Sequence, residues 1–120
     1  MAFLIDPEKK NITHVESPAS LKEIYRLLSE GDQVVDTVEI VRLVSGDVIC
    51  VDEEGRYKNT LHRFSVLLTD YKGNAYTLPL VNKSLVLRFE NEGGDCERIV
   101  APIISLAQLQ EIVEWGRELS

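Results

Sequence analysis

Apolar and polar positions alternate with a period of two along most of this chain, and twice the period lengthens to that of a helix. Phe3-Leu4-Ile5 and Ile12-Thr13-His14-Val15 flank Asp6-Pro7-Glu8-Lys9-Lys10-Asn11. Asp before Pro opens a type I turn, because the carboxylate accepts backbone hydrogen bonds and the proline ring pre-sets φ. An N-terminal hairpin is the expectation. Leu21, Ile24, Tyr25 and Leu28 then recur at helical spacing, which places one helix face against a core. Ser20-Leu21-Lys22-Glu23 reads as the capping box of that helix, and Gly31 as its left-handed C-terminal cap.

The middle of the chain returns to the short period. Val34 to Val44 is dense in β-branched residues, and Ser45-Gly46-Asp47 turns the chain into Val48-Ile49-Cys50-Val51. Asp52-Glu53-Glu54-Gly55 is another turn, before the short Arg56-Tyr57-Lys58. Leu61 to Thr69 is a further strand, closed by Asp70-Tyr71-Lys72-Gly73-Asn74. Ala75 to Leu78 follows and is expected to stop at Pro79, which cannot donate to a central ladder. Ser84 to Glu90 and Cys96 to Ala101 flank Asn91-Glu92-Gly93-Gly94-Asp95 as a hairpin would.

Ser105-Leu106-Ala107-Gln108 is a second capping box and opens a helix from Leu106 to about Arg117. On such a helix Leu106, Leu109, Val113 and Gly116 share one face, and Trp115 falls roughly opposite. Hairpin, helix, several strands, helix is the order of an α+β fold with a mostly antiparallel sheet. It predicts one domain over residues 1–120.

Composition narrows the function classes. At 120 residues with 44% hydrophobic positions, one core forms without metal or disulfide. No apolar run approaches the roughly 20 residues that span a bilayer. The opening Met1-Ala2-Phe3-Leu4-Ile5-Asp6-Pro7 lacks the basic region and long apolar stretch of a signal peptide. The expected location is therefore cytoplasmic, with no membrane partner. Twenty acidic and thirteen basic residues give a net charge of −7, which disfavours direct nucleic-acid binding. Cys50, Cys96, His14 and His62 are scattered singly, without the paired spacing of a zinc site. Both cysteines read as small buried hydrophobes on strands.

Chemistry finds little purchase. Neither histidine lies in a nucleophile motif, and the chain lacks G-x-S-x-G, H-E-x-x-H, the P-loop and the dinucleotide fingerprint. No catalytic residue, metal ligand or cofactor is assigned. Asp52, Glu53 and Glu54 form the densest acidic knot, but they lack the spaced oxygens and closing Glu of a calcium loop. They read first as a solvated turn and second as part of an acidic partner interface. Trp115 reads first as a cover for the sheet edge at a fraying helix end and second as an anchor for a partner, since large aromatics recur at interface hot spots. If the chain instead bound a small nucleotide-like molecule, Arg42, Arg63, Lys83 and Arg88 would be its basic candidates, all on or beside strands.

Several segments carry a family resemblance. They are Phe3-Leu4-Ile5-Asp6-Pro7-Glu8-Lys9-Lys10-Asn11-Ile12, Val15-Glu16, Leu21-Lys22-Glu23-Ile24-Tyr25-Arg26-Leu27-Leu28, Gly46-Asp47-Val48, Val51-Asp52-Glu53-Glu54-Gly55 and Asn82-Lys83-Ser84-Leu85-Val86-Leu87. Together they resemble a family of small uncharacterised bacterial proteins, often carried by phages and plasmids, in which Gly is commoner than Asn at position 82. The resemblance is densest from Phe3 to Gly55. It defines no catalytic residues. What it implies is a compact accessory protein of a mobile element or its host, a kind that often works by binding and blocking a host factor. The expectation is thus a non-enzymatic protein-binding module with an unidentified protein partner, and self-association as a homodimer is compatible with it. A small-molecule binder and a housekeeping domain are the alternatives.

Overall fold

Side-chain alternation sorts the strands of this chain into two stacked sheets with a helix on the outside. The computed structural model describes residues 1–29, 34–54, 62–91 and 97–116. Among these, the elements run β1 (Ala2–Asp6), β2 (Asn11–Val15), α1 (Leu21–Leu28), β3 (Val38–Arg42), β4 (Val48–Asp52), β5 (Arg63–Thr69), β6 (Ala75–Val81), β7 (Ser84–Asn91), β8 (Glu97–Val100), α2 (Leu106–Ile112) and β9 (Val113–Trp115). The fold is α+β. All strand pairs are antiparallel. The larger sheet has the order β2-β1-β7-β4-β3, with β8 paired to the far end of β7; the smaller has the order β6-β5-β9.

Two apolar clusters follow from this stacking. Phe3, Ile5, Ile49, Val51 and Val86 leave one face of the larger sheet and meet Phe64, Val66, Leu68 and Leu80 of the smaller sheet, with Leu109 of α2. Ala2, Val48, Cys50, Leu85 and Leu87 leave the other face and are covered by Ile24 and Leu28 of α1. Strand β4 is therefore buried at every residue, and its unbroken Val48-Ile49-Cys50-Val51 run is what a strand covered on both faces requires. Each such side chain contributes about 1.5–3 kcal/mol on burial. Burial also pushes the Cys50 thiol up to about 11, so this strand cysteine is an inert core residue. Cys96 lies outside the described residues.

The first hairpin forms as its sequence predicts. Asp6 Oδ1 accepts the N–H groups of Glu8 and Lys9 at 3.1 and 3.2 Å, and Lys10 takes a left-handed φ of 53° to bring Asn11 opposite Asp6. Asn82, between β6 and β7, also has a positive φ of 63°. That conformation is open to Gly and tolerated by Asn. Its Oδ1 accepts the His62 N–H at 3.2 Å, and its own N–H donates to the His62 carbonyl at 2.7 Å.

Several expectations are corrected. Helix α1 ends at Leu28 with Ser29 as its cap, where Ser29 Oγ donates to the Tyr25 carbonyl at 2.7 Å and accepts the Val35 N–H at 2.9 Å; Gly31 lies outside the described residues. At the start of α1, Ser20 Oγ caps the Glu23 N–H as expected, but the Glu23 carboxylate reaches back to the Ala19 N–H, one residue before the cap. Strand β6 does not stop at Pro79; it continues to Val81, with Pro79 opposite Ser65. It can do so because β6 is an edge strand, where a missing N–H leaves no partner unsatisfied. Arg56-Tyr57-Lys58 and the Glu92–Asp95 part of the β7–β8 connection lie outside the described residues.

The largest correction concerns the C-terminal helix. Ser105 and Gln108 make a complete capping box, yet the helix stops at Ile112, and Val113–Trp115 is a strand paired with β5. Val113 Cα lies opposite Val66 and Trp115 opposite Phe64, so tertiary pairing overrides a helical period that continues through Gly116. Gly116 fixes the end of this pairing. Its N–H donates to the Arg63 carbonyl at 2.9 Å, and a Cβ there would sit 2.7 Å from that same oxygen. Gly116→Ala must push β9 off β5 or break that bond. A loss of about 1–3 kcal/mol in chemical denaturation is expected, the usual range for overpacking; an unchanged midpoint would show that β9 is not seated there.

Candidate functional site

Among the described residues the smaller sheet has three strands and the larger six, five of them side by side, so the sandwich is open along one side. β6 lies over the β3–β4 side, where Pro79, Leu80 and Val81 share a small crevice with Glu39, Val51, Asp52 and Glu53. At the opposite side β9 faces β2, the edge strand of the larger sheet. A cleft of about 360 Å³ lies between them, lined by Lys10, Asn11, Ile12, Gln110, Val113 and Trp115. That volume falls at the small end of ligand pockets, roughly 300–1,000 Å³.

Each lining residue is placed by a local feature of the chain. The Asp6 turn and the left-handed Lys10 set Lys10, Asn11 and Ile12 at the start of β2. Ile12 lies opposite Ile5, whose side chain enters the inter-sheet core, so Ile12 faces the smaller sheet. From the other wall, Val113 and Trp115 point toward the larger sheet because their opposite residues, Val66 and Phe64, are both in that core. Trp115 is half-buried, its ring tilted at 55° to Phe64 with centroids 6.3 Å apart. Ile12, Val113 and Trp115 thus form the inner wall of the cleft, whose accessible surface is mostly polar. Its mouth carries Lys10, Asn11 and Gln110, all exposed, and no acidic side chain lines it among the described residues.

Among the described residues, the backbone of β9 presents one unpaired side to this cleft. Opposed residues of an antiparallel pair alternate between hydrogen-bonded and non-bonded positions. The Gly116 N–H bond to Arg63 makes that pair a bonded one, so Ser65–Glu114 is bonded and Phe64–Trp115 is not. The N–H and C=O of Trp115 and the C=O of Val113 therefore point away from β5, to the open edge. The Val113 N–H is already used, donating to the Leu109 carbonyl as the last bond of α2.

A second polar cluster fixes the segment that leads into α2. Asp47, fully buried, ends the β3–β4 turn. Its carboxylate accepts the Ile103 N–H at 3.0 Å, the Ile104 N–H at 2.8 Å and the Ser45 hydroxyl at 2.9 Å, and it pairs with Arg88 at 3.4 Å. Burial by itself would raise the Asp47 pKa. The two backbone N–H groups, Ser45 and Arg88 outweigh it, and the carboxyl stays below its ordinary 3.8. Gly46 beside it has a φ of +90°, and the Arg88 guanidinium would lie 3.0 Å from a Cβ at that position.

The structure scatters the remaining candidates. Asp52 ends β4 and is nearly buried, its Oδ1 accepting the Glu54 N–H at 3.0 Å, while Glu53 and Glu54 are exposed on the turn beyond. β4 is separated from β2 by β1 and β7, about 14 Å at ordinary strand spacing, so the acidic knot and the Trp115 cleft occupy opposite sides of the sandwich. Arg88 shares the face of Val86 and engages Asp47, whereas Arg42, opposite Val48, is on the other face of the same sheet. Arg63 alternates with the inward Phe64 and so lies on the outer face of the smaller sheet. Lys83 is in the β6–β7 connection. Trp115 itself is on a strand rather than on the far side of a helix, and its indole is partly packed against the core.

The cleft depends on residues that sequence reasoning did not associate. In the sequence, Lys10 and Asn11 read as a turn and Ile12 as a strand start. One signal was available: Val113-Glu114-Trp115 alternates apolar and acidic positions with the period of a strand. Among the described residues, no three His, Cys, Asp or Glu side chains gather around a common point as metal ligands would, and no helix is long and apolar enough to cross a membrane. No protein-family model, curated protein or solved structure matches the chain.

Proposed function

We propose that this chain is a non-enzymatic binding module that holds a protein partner at the cleft over Trp115. On this reading it acts in the cytoplasm as an accessory protein that modulates a host or defence factor, in the mobile-element setting that the sequence resemblance implies. The observation that carries the reading is the cleft itself. A half-buried tryptophan sits beside Ile12 and Val113, and amides and one lysine ring the mouth. A tryptophan anchor ringed by polar side chains is a recurring feature of protein interfaces. A small-molecule site built on Arg42, Arg63, Lys83 and Arg88 gains no support from their positions on both faces of one sheet and the outer face of another.

Gln110→Arg tests this reading without disturbing the core, because Gln110 is exposed at the cleft mouth. The longer side chain should obstruct entry while the melting temperature stays within about 3 °C, the shift that corresponds to the usual range for surface substitutions. Proteins retained from a host extract by the parent chain should be lost with this variant. Retention of the same proteins by both would place the interface elsewhere.

A further inference from the structure

We infer, building on the cleft as the partner site, that the partner's contacting segment is an extended strand that pairs with the free edge of β9. It would add a fourth strand to the smaller sheet. Three observations converge on this occupant. The smaller sheet ends at β9 while the larger continues to β2, so the place beside β9 is where the next strand of the sandwich would run. Three backbone groups, the Trp115 N–H and the Val113 and Trp115 carbonyls, face that place in the spacing of a ladder. Ile12, across the cleft, supplies an apolar surface for whatever side chain the added strand turns inward.

The register also sets the chemistry of the segment. A residue placed opposite Trp115 exchanges backbone bonds with it and points its side chain to the same inner face, between the indole and Ile12. An apolar side chain of Val or Ile type suits that position. Its two neighbours point outward, one opposite Glu114, which β9 exposes on the outer face, and the other opposite Gly116. Opposite charges on adjacent strands stabilise pairing and like charges oppose it, so the neighbour opposite Glu114 is basic. The chain's net charge of −7 draws a basic segment in the same direction. The partner segment is therefore an alternating apolar and basic strand, recognised by sheet-edge addition.

Trp115 is the sole tryptophan, so its emission reports on the site directly. The probes are the capped peptide Lys-Val-Lys-Ile-Lys-Val-Lys, the same peptide N-methylated at the nitrogens that would face β9, and a version with Glu in place of every Lys. The lysine peptide should shift the Trp115 emission saturably. N-methylation keeps charge and composition but removes backbone donors and crowds the edge, and should weaken binding about tenfold or more. With Glu114→Lys, an exposed substitution, the preference for the lysine peptide should narrow, the lysine peptide binding about threefold more weakly and the glutamate peptide about threefold more tightly.

The inference is overturned if no peptide shifts the emission, if the N-methylated peptide binds as well as its parent, or if Glu114→Lys leaves the preference unchanged. It is equally overturned if only the low-molecular-weight fraction of a host extract moves the emission, since the occupant is then a small molecule. In each of these cases, loss of retained proteins with Gln110→Arg would still uphold the protein-binding cleft, so the two readings fail separately.

Discussion

Replacing Asp47 with alanine is expected to destabilise the fold by about 3–5 kcal/mol, the scale for deleting one partner of a buried, hydrogen-bonded charge. The carboxylate is fully buried and ties three parts of the chain together: its own turn through Ser45, β7 through Arg88, and the segment entering α2 through Ile103 and Ile104. Alanine leaves two backbone N–H groups without their acceptor, each costing about 1–3 kcal/mol if water cannot reach it. Arg88 is part exposed, at 27% of its side-chain surface, so its guanidinium can hydrate and adds less. Asp47→Asn keeps one acceptor oxygen and should lose less than alanine. The pH dependence has a definite sign. Because the folded pKa lies below the ordinary 3.8, the carboxylate's contribution is complete above that value and is lost as pH falls through the folded pKa. Urea unfolding of parent and Asp47→Asn should therefore differ at pH 7 and draw together as pH falls below the ordinary 3.8; equal midpoints at pH 7 would remove Asp47 from this role.

Leu109→Ala carries the second large effect. Leu109 is fully buried between the sheets and is the side chain by which α2 enters the core. A loss of about 2–5 kcal/mol is expected, the range for emptying a buried leucine site. Trp115→Ala should cost less, since the indole is only half-buried, but it should cost something, because the ring packs on Phe64. A tryptophan free on the outer side of a helix would cost almost nothing. Thermal melts of both variants decide between those pictures: the order Leu109→Ala first, Trp115→Ala second and measurable, belongs to the strand placement. No loss at all for Trp115→Ala would contradict it.

Much of the fold was legible because local chemistry and tertiary structure agree. The Asp6-Pro7 turn, the Ser20 and Ser105 caps and the alternating strands are each specified within a few residues. Where sequence reasoning failed, the deciding partner lay far away. Val113 to Trp115 continues a helical period, yet its neighbour is β5, roughly fifty residues earlier, and β-branched and aromatic residues suit that pairing. Pro79 stops a central strand but not an edge one, and edge position is a property of the sheet. Asp47 reads locally as a turn residue, while the N–H groups that bury it are 56 and 57 residues on. The cleft was invisible for the same reason. Trp115 could be singled out by type, but Lys10, Asn11 and Ile12 reach it only through the stacking of two sheets.

Amide hydrogen exchange of the free protein, resolved at residues 113 to 116, tests the open β9 edge most directly. The pairing with β5 assigns the Glu114 and Gly116 N–H groups to bonded positions and leaves the Trp115 N–H facing the cleft. Glu114 and Gly116 should exchange slowly and Trp115 fast, an alternation that neither a helix nor a covered edge produces. Protection of Trp115 with rapid exchange at Glu114 would mean that the register is shifted by one residue. Equal protection of all three would mean that the edge is already occupied and the cleft is not a site for an added strand.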